Sequence, residues 1–101
     1  MNSDKGIKYD EGKLRIDLIP PEIIRVLATV FAHGADKYGE RNWEKGMRYG
    51  RLWAAAQRHL WSWWNGEDID ESGYSHLWHS LASIAMLIVL HKRGTGEDDR
   101  I

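Results

Sequence analysis

RHLWSWWNGEDIDESGYSHLWHSL, residues 58–81, holds two helical patterns joined by a short acidic loop. The first pattern is rich in tryptophan and stops at Asn65-Gly66, a pair suited to a helix C-terminus. Glu67, Asp68, Asp70 and Glu71 follow within five positions. The second pattern carries His76 and His79 three residues apart, which puts both imidazoles on one helix face. His59 lies on the helix before the loop. The stretch therefore predicts a helix–loop–helix corner where carboxylates and imidazoles gather.

Working outward, residues 51–65 read as a helix. Leu52, Ala55, Ala56, His59, Leu60 and Trp63 share a broad face, and Trp53, Trp61 and Trp64 extend the apolar surface around it. Apolar coverage that wide predicts burial on two sides, one of them in a subunit interface. The helix after the loop is expected from Gly73 or Tyr74 to Lys92. Leu77, Trp78, Leu81, Ile84, Ala85, Leu87, Ile88 and Val89 cover most of it, so it should be the central helix. One narrow polar stripe survives on it: His76, His79, Ser80 and Ser83. Upstream, Pro20-Pro21 and Glu22 suit a helix start. Ile23, Ile24, Leu27, Val30, Phe31 and Ala35 recur at helical spacing to about Tyr38. Gly34 within that pattern suggests close approach of another helix.

The connecting segment, residues 39–50, is glycine-rich and reads as a loop, with Trp43 closing over the core. Residues 1–19 show no helical period. There Lys8, Lys13 and Arg15 interleave with Asp10, Glu11 and Asp17, while Leu14, Ile16 and Leu18 alternate with polar residues as in an extended segment laid on the core. The tail, residues 94–101, is polar and expected to be loose. The reading is all-α: a small bundle of three main helices over 20–93, an extended N-terminal arm over 1–19, and an oligomer.

The bulk numbers narrow the function. One domain is expected from 101 residues. A net charge of -1 gives no field to attract duplex DNA. Cysteine is absent, so any metal must use oxygen or imidazole ligands. The longest apolar run, Ile84 to Leu90, is too short for a bilayer, and the N-terminus has no apolar signal core. These features predict a cytoplasmic protein, in the host cytoplasm if a phage encodes it.

Buried imidazole and hydroxyl groups need partners. The nearest are His59 and the acids of residues 67–71. One outcome is a divalent-metal site drawn from Glu67, Asp68, Asp70, His76 and His79. Mg²⁺ favours carboxylate and water, whereas Mn²⁺ or Zn²⁺ also accepts imidazole. The other is a packing and capping role for both histidines beside a solvated acidic turn. Spacing alone favours the second, because an i,i+3 pair lacks the specificity of a longer zinc signature. Arg58 suits either a bridge to the loop or a forked contact to phosphate.

Three separated motifs, GIKYDEGKLRIDLIP, HGADKYGERNWEKG and the stretch quoted first, resemble the phage-associated dATP/dGTP diphosphohydrolase N-terminal domain family, over residues 6 to about 90. That family is related to the all-α, MazG-like nucleotide pyrophosphohydrolases. The resemblance implies a helical, often oligomeric domain acting on purine nucleoside triphosphates. MazG-like enzymes hold Mg²⁺ with an EExxE and a later ExxD. Neither pattern is present, and Asp36, Glu40 and the HLWH of residues 76–79 stand nearest. Matching residue by residue implies phosphate contacts from Lys8, Lys13 and Arg15. Lys37, Tyr38, Asn42 and Trp43 would line the pocket, joined by Arg58 and His59.

Two functions follow as expectations. In the first, an Mg²⁺- or Mn²⁺-dependent enzyme cleaves the triphosphate to a monophosphate and pyrophosphate. Glu67 and Asp70 act as ligands, His79 or a carboxylate activates water, and Arg58 and His59 stabilise phosphate charge. In the second, a non-catalytic sponge sequesters nucleotide immune signals. There a base stacks on Trp43, and Lys13, Arg15 and Arg58 hold phosphates. A ligand-free structural oligomer fits the polar stripe least.

Overall fold

The computed structural model describes residues 6–9 and 11–101, so residues 1–5 and Asp10 of the N-terminal arm lie outside the described part. The described residues form helices, turns and two isolated bridge pairs, with no strand. Helix α1 spans Pro21–Tyr38. Proline sits in its first turn with Glu22, and it stops at Gly39, whose φ of 95° an L side chain rarely adopts. A 3-10 turn over Asn42–Lys45 leads to α2, Tyr49–Trp64, and then to α3, His76–Arg93.

Both later helices begin away from the positions their periodicity suggested. Helix α2 starts two residues early. Arg48 gives it no side-chain cap, but the tail does. The Tyr49 amide donates to the Glu97 carbonyl at 2.9 Å, and the Gly50 amide to Asp99 Oδ1 at 2.7 Å. A carboxylate from the far end of the chain thus satisfies orphan amides at a helix N-terminus. The tail is therefore tied down rather than loose, and Arg48 pairs with Glu97 as an isolated parallel bridge. Helix α3 starts late. Ser75 caps it, accepting from the Leu77 amide at 3.1 Å, while Gly73 and Tyr74 belong to a turn built on Asp70.

Helix α3 is central and packs on α2, on α1 and on the turn at Asn42–Lys45. Tyr49, Leu52 and Leu90 form the buried cluster, covered by Trp43, Met47, Met86 and Leu87. Trp43 therefore closes over the core, tilted against Phe31 at 5.7 Å between ring centroids. Within the α2–α3 interface, the buried Ser80 hydroxyl donates to the Ala56 carbonyl at 2.9 Å.

Two local expectations fail. Leu14, Ile16 and Leu18 are exposed, and residues 16–18 form a 3-10 turn, so that segment is not laid on the core as an extended strand. Gly34 has nothing within 4 Å of where a Cβ would point, so it marks open space and not a helix crossing. Large apolar side chains stay uncovered on all three helices: Ile24 and Tyr38 on α1, Trp53, Trp61 and Trp64 on α2, and Ile88 on α3.

Candidate functional site

Four imidazoles meet where α1, α2 and α3 come together. His59 is near the end of α2. His76 and His79 occupy the first turn of α3, and His33 comes from α1. The His59 and His79 rings stack at 4.8 Å between centroids and 20° between planes. His33 meets His79 edge-on at 6.3 Å and Tyr74 at 5.3 Å. His33 was not anticipated, because a lone histidine amid an apolar helical pattern carries no local signal.

Hydrogen bonds order the cluster. His76, 6% exposed, has both ring nitrogens engaged. Its Nδ1 lies 2.8 Å from His59 Nδ1, and its Nε2 lies 2.7 Å from Glu67 Oε2. An ionised carboxylate only accepts, so His76 Nε2 carries a proton and donates to Glu67. A neutral His76 then accepts at Nδ1 from His59, which leaves the lone pair of His59 on Nε2. Burial holds the His59 pKa below its ordinary value, and His79 and His76 reinforce the effect, so His59 is neutral near pH 7.

Asp70 organises the loop. Its Oδ1 accepts from the Ser72 amide at 2.8 Å and from the Ser72 hydroxyl, and its Oδ2 lies 3.3 Å from His79 Nε2. Ser72 Oγ lies 2.8 Å from that same Nε2. Partial burial pushes the Asp70 carboxyl up, but the Ser72 hydrogen bonds and the neighbouring imidazoles outweigh it and bring it below its usual value. Asp70 and Ser72 both approach Nε2, so this is a tautomer-fixing clamp and not a nucleophile triad, which engages opposite ring nitrogens. It leaves His79 Nδ1 with the lone pair. Asp-x-Ser at positions 70–72 was readable as a side-chain-closed turn. What it would grip was not.

His59, Asp70 and His76 each offer a donor atom within 4.8 Å of the others, the one such group among the described residues. Neighbouring ligands of a tetrahedral ion with bonds of about 2.1 Å stand about 3.4 Å apart, so the trio would have to draw in by up to about 1.4 Å to close on a cation. Two imidazoles and a carboxylate fit Mn²⁺ or Zn²⁺ better than Mg²⁺. His59 was expected at phosphate, yet it stands among the donors. Glu67 and His79 hold His76 and Asp70 from behind. The exposed Asp68 contributes its carbonyl, which accepts from the His76 amide at 3.0 Å.

The cluster borders a cleft of about 1740 Å³ between α1 and α2. Lys37, Tyr38, Asn42, Trp43 and Arg58 all line it. The Lys37 ammonium lies 5.2 Å from the Tyr38 ring centroid. The arm's cations stand elsewhere. Lys8 and Lys13 are exposed and off the cleft, and the Arg15 guanidinium is spent on both oxygens of Asp17, at 2.9 and 2.8 Å. Among the described residues, no helix is long and apolar enough to cross a membrane.

A Salmonella phage PMBT28 protein named dATP/dGTP diphosphohydrolase is 36% identical over 97 residues, covering 94% of this chain. The chain spans about a third (33%) of that relative's length. No solved structure matches. The family model described as "dATP/dGTP diphosphohydrolase, N-terminal" matches residues 3–100, so the chain belongs to that family.

Proposed function

We propose that this domain binds purine deoxynucleoside triphosphates in the cleft and hydrolyses them to a monophosphate and pyrophosphate. The observation that carries the reading is the convergence of His59, Asp70 and His76 at a cleft edged by Arg58, in a chain whose phage relative is named for this reaction. A divalent ion, Mn²⁺ in preference to Mg²⁺, would be held by these three donors once the His59 proton moves from Nδ1 to Nε2 and the two facing Nδ1 lone pairs turn to the ion, and it would neutralise phosphoryl charge. His79 receives a proton from attacking water at Nδ1, because Asp70 and Ser72 occupy its Nε2. Glu67 fixes the ring of the buried ligand His76. Arg58 holds a phosphate by its planar fork. Trp43, Tyr38, Lys37 and Asn42 border the space left for the nucleoside.

The exposed tryptophans of α2 support self-association, since they present far more indole than an isolated small domain needs outside. In the same reading the N-terminal arm, with Lys8, Lys13 and Arg15, reaches a ligand on a neighbouring copy, as these cations lie off their own chain's cleft.

Incubation with dATP or dGTP and Mn²⁺ tests the reaction. Monophosphate and pyrophosphate are expected in equal amounts, with turnover lost in His79→Gln and Asp70→Asn. Nucleotide recovered intact from a saturated, metal-loaded protein would replace hydrolysis by sequestration of nucleotide signals.

A further inference from the structure

One wall of the cleft has a use that the histidine corner does not explain. Arg51 and Arg58 both line it. They are seven residues apart on α2, hence on the same face and about 10 Å apart along the axis. Between them, on that wall, stand Ala54 and Ala55, whose side chains leave the helix surface low. Across from it, Gly34 of α1 also lines the cleft and is surrounded by open space. Neither arginine has an ion-pair partner among the described residues, while Arg15, Arg41, Arg93 and Arg100 all do. Five acids also line the cleft: Glu44 is engaged by Arg93 at 2.7 Å and by Arg41 at 3.4 Å, Asp99 by the Gly50 amide and Asp70 by Ser72, while Glu40 and Glu71 make no ion pair among the described residues and neither pairs with the two arginines.

We propose that Arg51 and Arg58 form a two-point rail for a polyphosphate chain laid along α2 over the alanine floor. Arg58 stands next to His59 and grips the phosphate at the histidine corner. Arg51, two turns away, takes the terminal phosphate. Its contact exists for a triphosphate and not for a monophosphate, so Arg51 sets the preference for chain length. This rests on the nucleotide reading only for what hangs from the phosphates. The rail itself recognises a linear polyanion, because free guanidinium forks bind phosphate oxygens bidentately.

Equilibrium titration of the intact chain with inorganic tripolyphosphate and with orthophosphate tests the rail, beside Arg51→Gln, Arg58→Gln and the control Arg25→Gln. Arg25 is an exposed α1 arginine off the cleft. Arg51→Gln should weaken tripolyphosphate about tenfold or more, the scale of one charge-assisted hydrogen-bonding group, and leave orthophosphate within about twofold. Arg58→Gln should weaken both ligands, and Arg25→Gln neither. Equal losses in Arg51→Gln and Arg25→Gln would reduce the effect to general charge and overturn the rail, as would a wild-type protein that binds no tripolyphosphate. A parallel dGTP titration separates this outcome from the nucleotide reading. Tripolyphosphate bound without dGTP keeps the rail and ends that reading. Normal dGTP turnover and KM in Arg51→Gln keeps the hydrolase and ends the rail.

Discussion

Replacing His76 by alanine separates a site that is structurally wired from one that is merely crowded. The ring is 6% exposed and makes two contacts, at 2.8 Å to His59 and 2.7 Å to Glu67. Glu67 is 63% exposed, so water replaces its lost partner at little cost. His59 is half-buried, and its Nδ1 proton loses an acceptor that water reaches less easily. The one hydrogen bond that water does not replace, at about 1 kcal/mol, plus about 1–2 kcal/mol for desolvation of the abandoned His59 donor, comes to about 2–3 kcal/mol. At about 4–8 °C per kcal/mol for a domain this size, melting should fall by about 10–20 °C. The assay is thermal unfolding by circular dichroism with chelator present, so that no metal contributes. A cycle with His59→Ala should return a coupling of about 1 kcal/mol between the two rings. A His76→Ala protein melting within a few degrees of wild type, with no coupling, would show that the ring pair stores no stability and that the hydrogen-bonded frame argued above is wrong.

Three further outcomes follow from the same frame. The His59 pKa lies below 6.5 in the folded chain, chiefly through burial, so the folded state binds fewer protons there than the unfolded one. Its stability contribution is therefore complete above pH 6.5 and is lost as pH falls towards the folded value. Unfolding free energy should decline across that window by at most about 1.4 kcal/mol per pH unit, and His59→Gln should flatten the decline in a pH series of thermal melts. Saturating Mn²⁺ at 100 times its Kd should add about 2.7 kcal/mol, reversed by chelator and abolished in His59→Gln and Asp70→Asn; a melting point unmoved by millimolar Mn²⁺ would count against the donor trio. Asp99→Ala removes the carboxylate that caps α2 at Gly50 and should cost about 1 kcal/mol by denaturant unfolding.

Helical periodicity carried most of the architecture. The stops at Gly39 and Asn65-Gly66, and the centrality of α3, were legible because apolar spacing and breaker residues are local signals. The misplaced starts of α2 and α3 have a common cause. Each start is set by a hydrogen bond from outside the helical pattern: Asp99 and Glu97 from the tail for α2, and the Asp70 turn with Ser75 for α3. The site divides the same way. His59, His76, His79 and Asp70 were legible as one corner because the loop joining their helices is short. His33 arrives from α1 through tertiary packing, and Arg51, a single arginine at the start of a helical pattern, carries no local signal for the cleft that α1 places beside it.

The position of the cluster on α3 explains why imidazoles can serve here. His76 and His79 lie in the first turn, where the aligned peptide dipoles give the helix a partial positive end. That end repels cations and favours anions, so it acts in the same direction as the burial that keeps His59 neutral. A divalent cation would meet the same repulsion. Asp70 and Glu67, both folded back onto this turn, supply the negative charge that offsets it. An all-carboxylate site at a helix N-terminus would bind a cation strongly but repel an incoming triphosphate. An all-histidine site would welcome the triphosphate and hold the cation weakly. Two acids among the imidazoles, with Arg58 on the neighbouring helix, sit between these extremes. The consequence is testable in charge terms alone: Glu67→Gln should weaken the cation while sparing tripolyphosphate, because Glu67 holds His76 and does not line the cleft in which Arg51 and Arg58 stand together.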